Sequence, residues 1–383
     1  MKAADRVERV PPSGIRRFFE LAEEQDDVIS LGVGEPDFAA PWAARDAAIA
    51  SLEQGKTSYT ANQGLRELRD AIARDVEQRY GLSYDPDDEV LVTAGASEAV
   101  DLAFRALVDP GETVAIPQPC YVSYVPGVIF AGGEVCPVPT RQEDEFKLTA
   151  DLLEEYGAGE ATLLVLNYPN NPTGATMTGA DLAEVATFAR EHDLTVLSDE
   201  IYSELSYEHD HTSIATLPGM RDRTVVVNGF SKTYAMTGLR LGYALAPPGA
   251  TRAMNRIHQY SMLSAPTTAQ YAALEALDSC DDAVESMRDQ YNRRRNYVRS
   301  RFEEMGIECF RARGAFYAFP SCPGDDAEAF AEALLEEVGV AVVPGDAFGD
   351  GGEGHLRVSY ATGFNELEEA LDRIETFVGD YEW

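Results

Sequence analysis

The chain has 383 residues, of which 66 are acidic and 31 are basic, and its formal net charge at pH 7 is −35. Such a surplus of acid argues against binding to nucleic acid or to an anionic membrane surface, because both need basic side chains. No run of about 18 apolar residues is present, so the sequence predicts no transmembrane span. The N-terminal stretch lacks an apolar signal core, and we therefore expect a cytoplasmic protein.

Cysteine usage indicates neither a disulfide framework nor a metal site. The five cysteines are an odd number, and no two of them have the C-x-x-C spacing of many zinc sites. We expect reduced thiols and no bound metal. The acidic residues are spread along the chain and lysine occurs at only four positions, a composition that resembles the surfaces of proteins from salt-loving organisms.

Short apolar runs alternate with longer amphipathic stretches along most of the chain. Buried strands are predicted from the apolar runs at 89–95, 113–119, 161–169, 194–200, 224–230 and 239–246. Helical patterns lie between several of them, for example at 97–109 and 179–193. This rhythm predicts an α/β fold with a mostly parallel sheet that is covered on both faces. After about Pro266 a long helical stretch, short strands and further helices predict a smaller α+β domain.

Polar and reactive residues follow the predicted strands. In open α/β sheets, ligands bind just beyond the carboxyl ends of the strands, so these positions are candidates for a site. They are residues 95–97, Tyr121, Asn171, Asp199, Tyr202, Ser231 and Lys232.

Lys232 and Asp199 are the most informative of these positions. Lys232 follows the buried run at 224–230, where loss of water would lower the pKa of its amine and free a nucleophile. Asp199 ends another buried run, and a carboxylate there is costly unless it meets a cation or a strong donor. Taken alone, Lys232 fits a solvated loop and Asp199 fits the cap of a local turn.

An anion site is indicated by residues 95–97, which precede a helical pattern, because the first amides of a helix point toward a bound anion. Arg240 could contact the same anion through its guanidinium group. The alternative is a plain helix cap by Ser97. A lysine amine, a buried acid and a phosphate site are together what pyridoxal 5'-phosphate requires.

The stretch "GFSKTYAMTGLRLG" (229–242) resembles the lysine signature of class I aminotransferases, which belong to the fold-type-I pyridoxal-phosphate superfamily. Further segments are similar to the family and follow in the family's order: "LGVGEPDF" (31–38), "YTANQGLRELR" (59–69), "NYPNNPTG" (167–174), "SDEIY" (198–202), "GAFYAFP" (314–320) and "LRVSYA" (356–361). The similarity covers nearly the whole chain and is greatest to the prokaryotic, aspartate aminotransferase-like branch.

This resemblance implies a fold with a mostly parallel seven-stranded sheet in a large domain at 41–270. A small α+β domain would occupy 271–383, and residues 1–40 would form an N-terminal arm and part of the small domain. The implied activity is the transfer of an amino group from an L-amino acid to a 2-oxo acid, 2-oxoglutarate above all, by a ping-pong mechanism. A homodimer is implied as well.

The resemblance also implies a role for each site residue. Lys232 would bind the cofactor aldehyde covalently and then move the substrate proton, while Asp199 would pair with the ring nitrogen. The other implied cofactor contacts are Tyr202 and Asn171 at the phenolic oxygen, Tyr121 stacked on the ring, and Ala96, Ser97, Ser231, Arg240 and the neighbouring subunit's Tyr59 near the phosphate. Arg357 would bind the substrate α-carboxylate, with help from Gly34 and Asn171.

Two positions depart from the family pattern. Gly229 stands where many relatives have a serine that donates to the phosphate, and Ser97 stands where an aspartate-specific group has a lysine. The amino donor therefore stays open between aspartate, alanine and aromatic amino acids, and Arg313 and the residues around Tyr124 are guesses for the side-chain pocket. A carbon–sulfur lyase or related elimination enzyme on the same fold is the alternative activity.

Overall fold

The computed structural model describes residues 2–12, 14, 27–324 and 326–380. The strands in this part of the chain are β1 (Ile29–Ser30), β2 (Val90–Thr93), β3 (Thr113–Gln118), β4 (Glu134–Pro139), β5 (Leu163–Asn167), β6 (Thr195–Asp199), β7 (Thr224–Gly229), β8 (Gly242–Leu245), β9 (Tyr317–Ala318), β10 (Val340–Ala341), β11 (Val343–Pro344) and β12 (Leu356–Ser359). The helices are α1 (Asp5–Glu8), α2 (Trp42–Glu53), α3 (Arg66–Tyr80), α4 (Ala96–Leu107), α5 (Tyr124–Ala131), α6 (Ala150–Glu155), α7 (Gly179–Glu191), α8 (Phe230–Thr233), α9 (Pro248–Ser261), α10 (Thr267–Ser279), α11 (Asp281–Glu304), α12 (Ala327–Val338) and α13 (Phe364–Asp380).

A seven-stranded sheet forms the centre of the larger part, with the strand order β2-β8-β7-β6-β5-β3-β4. Only β8 runs against its neighbours, which are β2 and β7. Every residue of β5 and of β7 is buried, as expected for strands that helices cover on both faces. The expectation of an α/β fold with a mostly parallel seven-stranded sheet is therefore confirmed.

The parallel direction of β5, β6 and β7 determines where the site forms. Their carboxyl ends lie at one edge of the sheet, because the register pairs Asn167 with Asp199 and Asp199 with Val227. Since β8 is antiparallel to both of its neighbours, β2 runs in the same direction as β7. The helix α4 follows β2 in the sequence and therefore begins at the same edge of the sheet. Residues far apart in the sequence are thus brought together by strand direction alone.

A smaller antiparallel sheet, in the order β11-β12-β9, contributes the residues that face this edge from the other side. Arg357 lies on β12, and Tyr317 lies on β9. The rings of Tyr291 and Phe316 pack at 5.5 Å, and Phe316 also contacts the ring of Tyr202 at 5.5 Å. The two parts of the chain therefore share an aromatic contact next to the site.

The division of the chain at residues 40 and 270 stays a prediction. Residue 270 lies within α10, and the Gln270 side chain accepts a hydrogen bond of 2.7 Å from the backbone of Leu65. None of the described helices is both long and apolar enough to cross a membrane.

Candidate active site

A pocket of about 610 Å³ lies at the carboxyl edge of the central sheet. Every proposed site residue except Tyr59 lines it, and these are Gly34, Ala96, Ser97, Tyr121, Asn171, Asp199, Tyr202, Ser231, Lys232, Arg240 and Arg357. The strand-end rule therefore collected neighbours from five separate segments of sequence, and Gly34, Arg240 and Arg357 were expected on other grounds.

Lys232 projects into this pocket from α8, the single turn that follows β7. Its ammonium group donates a hydrogen bond to the carbonyl oxygen of Gly34 and lies 5.5 Å from the centroid of the Phe316 ring. Burial lowers the pKa of the amine to about 8, although the carboxylate of Glu35 opposes this shift. A lysine with this pKa has an appreciable fraction of neutral, nucleophilic amine near pH 8.

Gly229 has a structural reason to be glycine. A Cβ at this position would lie 2.9 Å from the Cα of Gly242 and 3.0 Å from the carbonyl oxygen of Leu241. The backbones of β7 and β8 approach each other here, because the two residues are register partners. The close approach positions the turn that carries Lys232, and it leaves no room for a serine at 229 unless the backbone moves.

Asp199 is buried at the base of the pocket, at the end of β6. Its carboxylate accepts a hydrogen bond of 2.7 Å from the Tyr124 hydroxyl and one of 3.2 Å from the Ile201 amide. Burial raises the pKa of Asp199 to about 6, and these two hydrogen bonds limit the increase. Such a carboxylate is well suited to meet a cationic ring nitrogen, because it has little water to lose.

Tyr124, Tyr317 and Asn167 line the pocket, although the sequence analysis assigned no role to Tyr317 and Asn167 and offered the surroundings of Tyr124 only as a guess for the side-chain pocket. The hydroxyls of Tyr317 and Tyr202 lie 2.9 Å apart, and the Asn167 amide donates to the backbone oxygen of Asp199 at 2.9 Å. Asn167 also accepts a hydrogen bond from the Asn171 backbone. Asn167 lies inside the run predicted as a strand at 161–169 but ends β5 in the structure, so the strand-end rule missed it because the predicted strand ended too late. No local signal marks the two tyrosines.

Arg357 is buried at the side of the pocket that the smaller sheet contributes. Its guanidinium donates to Oδ1 of Asn171 at 3.0 Å and to the carbonyl oxygen of Gly32 at 2.6 Å, and it lies 4.7 Å from the centroid of the Tyr317 ring. Its Nε is buried without a partner. A buried guanidinium with an unused donor is a site for a carboxylate, which accepts two parallel hydrogen bonds.

The N-terminus of α4 and the guanidinium of Arg240 lie next to each other in the lining of the pocket. Gly95 precedes the helix with a φ of 84°, in the left-handed region that favours glycine. A Cβ there would lie 2.7 Å from Nη2 of Arg240. The free amides of Ala96 and Ser97 and the nearby positive charge suit a phosphate group.

Two residues lie away from this pocket. Tyr59 is 80% exposed, as a residue that acts in another subunit would be. Arg313 pairs with Glu145 and, at 3.5 Å, with Glu208, and it is not among the described residues that line the pocket. Tyr124 does line the pocket, but its hydroxyl is occupied by Asp199.

Comparison with known proteins identifies the class to which this fold and site belong. The sequence profile described as "Aminotransferase class I and II" matches residues 26–374. A putative aminotransferase of Bacillus subtilis is 51% identical over 98% of both chains. Aromatic-amino-acid aminotransferase 2 of Thermococcus litoralis is 45% identical over 98% of both chains. The solved structure of the Thermus thermophilus aspartate aminotransferase with maleate superposes with a TM-score of 0.93 at 38% identity, covering 98% of this chain and 99% of that one.

The chain therefore belongs to the class I and II aminotransferases, and it is an enzyme of this family. The members of this family depend on pyridoxal phosphate. The carbon–sulfur lyase alternative is not favoured, because the similar proteins are aminotransferases over nearly their full length.

Proposed function

We propose that this chain binds pyridoxal 5'-phosphate in the 610 Å³ pocket and moves an amino group from an L-amino acid to a 2-oxo acid, with 2-oxoglutarate as acceptor. The observation that carries the proposal is that Lys232, Asp199 and Arg357 line one pocket. An amine, an acid and a carboxylate site are the minimum set for this reaction. When bound, the coenzyme supplies an aldehyde that condenses with amines and a ring that withdraws electrons from the substrate.

Lys232 and Asp199 have complementary tasks in this proposal. The Lys232 amine would hold the coenzyme covalently, and as a free amine it would take up and return the proton of the substrate Cα. Its pKa of about 8 supports a base that works near neutral pH. Asp199 would pair with the ring nitrogen of the coenzyme and favour its protonated form. The hydrogen bonds from Tyr124 and Ile201 support this role, because they hold the carboxylate in one orientation.

The remaining residues bind and orient the two reactants. Tyr202 and Asn171 would contact the phenolic oxygen of the coenzyme. Tyr121 would stack against its ring. Ala96, Ser97, Ser231 and Arg240 would hold its phosphate. Arg357 and the Gly34 backbone would bind the substrate α-carboxylate, which the unpartnered Nε of Arg357 supports.

The active unit would be a homodimer in which Tyr59 of the partner subunit reaches the phosphate. Large apolar side chains that are exposed to solvent support this proposal. The exposed fractions are 63% for Trp42, 56% for Leu52, 80% for Tyr59 and 86% for Tyr260. The Asn62 side chain donates to the Leu263 backbone at 2.6 Å and so connects the two segments that carry these residues. Large apolar side chains that are exposed on linked segments are typical of a face that another protein covers.

The acidic composition supports a further proposal, that the protein works in a salt-rich medium. A net charge of −35 destabilises the compact state by self-repulsion, and dissolved salt screens that repulsion. Thermal stability should therefore increase as potassium chloride is raised toward molar concentrations.

A single-donor experiment tests the proposed reaction. The loaded protein is mixed with one amino acid and no 2-oxo acid, and both coenzyme absorbance and product are followed. A transaminase stops after one equivalent of 2-oxo acid per site and resumes when 2-oxoglutarate is added. Continuous turnover without an acceptor would contradict the proposal and indicate elimination.

A further inference from the structure

A second pocket of about 870 Å³ adjoins the first one. The two share Ser97, Val100, Tyr121 and Val122, so that a group extending past these side chains from the first pocket enters the second. Phe348, which lines the second pocket, also lies 4.8 Å from the Arg357 guanidinium. A substrate whose α-carboxylate is bound by Arg357 therefore has its side chain within reach of this space.

The walls of the second pocket are mainly apolar. They include Phe104, Val125, Ile129, Phe130, Val135 and Phe348. An aromatic side chain would exchange contact with water for contact with these side chains, which is favourable in proportion to the apolar area that it buries.

The charged residues of the second pocket are all of one sign. Asp101, Asp346 and Asp350 line it, and no lysine, arginine or histidine is among the described residues that do so. Asp101 is held by Arg105 at 3.2 Å, on the exposed face of α4. A side-chain carboxylate in this pocket would lose hydration and meet like charge instead of a cation.

The cations of the first pocket already donate to neighbouring protein groups, and the unpartnered Nε of Arg357 is assigned to the substrate α-carboxylate. The described lining of this pocket includes three cations: Lys232 donates to Gly34, Arg357 donates to Asn171 and Gly32, and Arg240 donates to the backbone of Thr237 at 2.9 Å. Ser97, at the boundary of the two pockets, is uncharged. Within a single subunit, neither pocket therefore offers a distal carboxylate a dedicated cation from the described residues.

From this juxtaposition we propose that the second pocket is the side-chain subsite and that the enzyme prefers aromatic amino acids over aspartate. The inference rests on the proposed function, because it assumes that Arg357 binds the α-carboxylate. Val122 is the position at which the preference can be changed, since it lines both pockets and bears no charge.

Binding of two unreactive acids tests the preference without any turnover. 3-Phenylpropanoate and succinate are phenylalanine and aspartate without their amino groups, and their dissociation constants for the loaded protein are measured by calorimetry. We expect 3-phenylpropanoate to bind at least about tenfold more tightly. Equal binding, or tighter binding of succinate, would overturn the inference.

Two variants show whether the second pocket is responsible. Val122→Lys places a cation at the boundary and should reduce the ratio of the two constants by at least about tenfold. Ala183→Lys adds the same charge on an exposed position of α7, outside both pockets, and should leave the ratio unchanged. Equal effects of the two variants would overturn the assignment of the subsite.

The single-turnover reactions with phenylalanine and with aspartate separate this inference from the proposed function. Phenylalanine should convert the coenzyme at least about tenfold more efficiently than aspartate. Faster conversion by aspartate would overturn the preference and leave the proposed function standing. Failure of every amino acid to convert the coenzyme would overturn the proposed function and this inference with it.

Discussion

The Tyr124 hydroxyl donates a hydrogen bond of 2.7 Å to Oδ2 of Asp199, although 75 positions of sequence separate the two residues. Both side chains are buried, and the Ile201 amide holds the second carboxylate oxygen. The acid at the base of the pocket is thereby fixed in orientation. Tyr124 is in this view a positioning residue, since it acts on the coenzyme through Asp199.

Replacing Tyr124 with phenylalanine should change how coenzyme binding depends on pH. The Tyr124 hydrogen bond lowers the pKa of Asp199, which burial raises to about 6, so its loss should raise this pKa by roughly one unit. Because the ring nitrogen requires the ionised carboxylate, affinity should then decline from a higher pH, being about twofold weaker than in the natural protein at pH 7 and about tenfold weaker at pH 5. The measurement is the coenzyme dissociation constant between pH 5 and pH 8.

Tyr168→Phe is the matched control for this experiment. Its hydroxyl donates to the Phe146 backbone at 3.0 Å, and it is buried but does not line the pocket. Some loss of stability is expected, with coenzyme affinity and its pH dependence unaltered. Identical changes in both variants would indicate that the Tyr124 contact matters only for packing.

Asp199→Asn should stabilise the coenzyme-free protein at high pH. A carboxyl group whose folded-state pKa is about 6, against 3.8 ordinarily, destabilises the fold at any pH above 6, and this cost disappears as the pH falls from 6 toward 4. The full cost is on the order of 3 kcal/mol. Urea unfolding should therefore show a more stable variant at pH 8 and a smaller advantage at pH 5. A variant that is less stable than the natural protein at pH 8 would refute this.

The positions of Lys232 and Asp199 could be predicted because both follow strands that are apolar enough to recognise. β5, β6 and β7 each contain a short apolar run and are buried along most of their length, and parallel strands end at a common edge. The Tyr124–Asp199 contact could not be predicted in this way. It depends on where α5 begins relative to β6, which no local pattern of residues records.

Two strands of the central sheet were missed or misplaced by the sequence patterns. β4 was not among the predicted apolar runs. It carries Pro137 and Pro139, which are tolerated because β4 is an edge strand. The run at 239–246 predicts a strand that begins too early. Thr237–Leu239 forms a 3₁₀ turn and Arg240 has a φ of 52°, so the strand begins only at Gly242. The turn also brings the Arg240 side chain close to Gly95.

Arg357→Lys should separate substrate binding from coenzyme binding. Lysine keeps the charge but cannot form the two parallel hydrogen bonds to a carboxylate that a guanidinium offers. The KM for the amino donor should increase by about a hundredfold, while the coenzyme absorbance of the purified variant stays normal. Arg373→Lys, at a surface pair with Glu369, is the control and should leave the KM unchanged. An unchanged KM in Arg357→Lys would exclude it from the carboxylate site.

Leu52→Glu should dissociate the proposed dimer. The side chain is 56% exposed on α2, and burying a carboxylate in an apolar interface without a partner is strongly unfavourable. Sedimentation velocity should show a dimer for the natural protein and a lower mass for the variant. Tyr156→Glu, which alters an apolar residue that is 37% exposed after α6, should remain dimeric. A monomeric natural protein would refute the proposed role of Tyr59.

The covalent attachment of the coenzyme to Lys232 tests the central claim most directly. The purified protein is incubated with pyridoxal 5'-phosphate, reduced with borohydride, digested and mapped by mass spectrometry, with Lys232→Ala as the parallel sample. We predict an absorbance band near ~360–430 nm before reduction and a coenzyme adduct on the peptide that contains Lys232, with both missing in the variant. An adduct on another of the four lysines, or no band with excess coenzyme, would contradict the account.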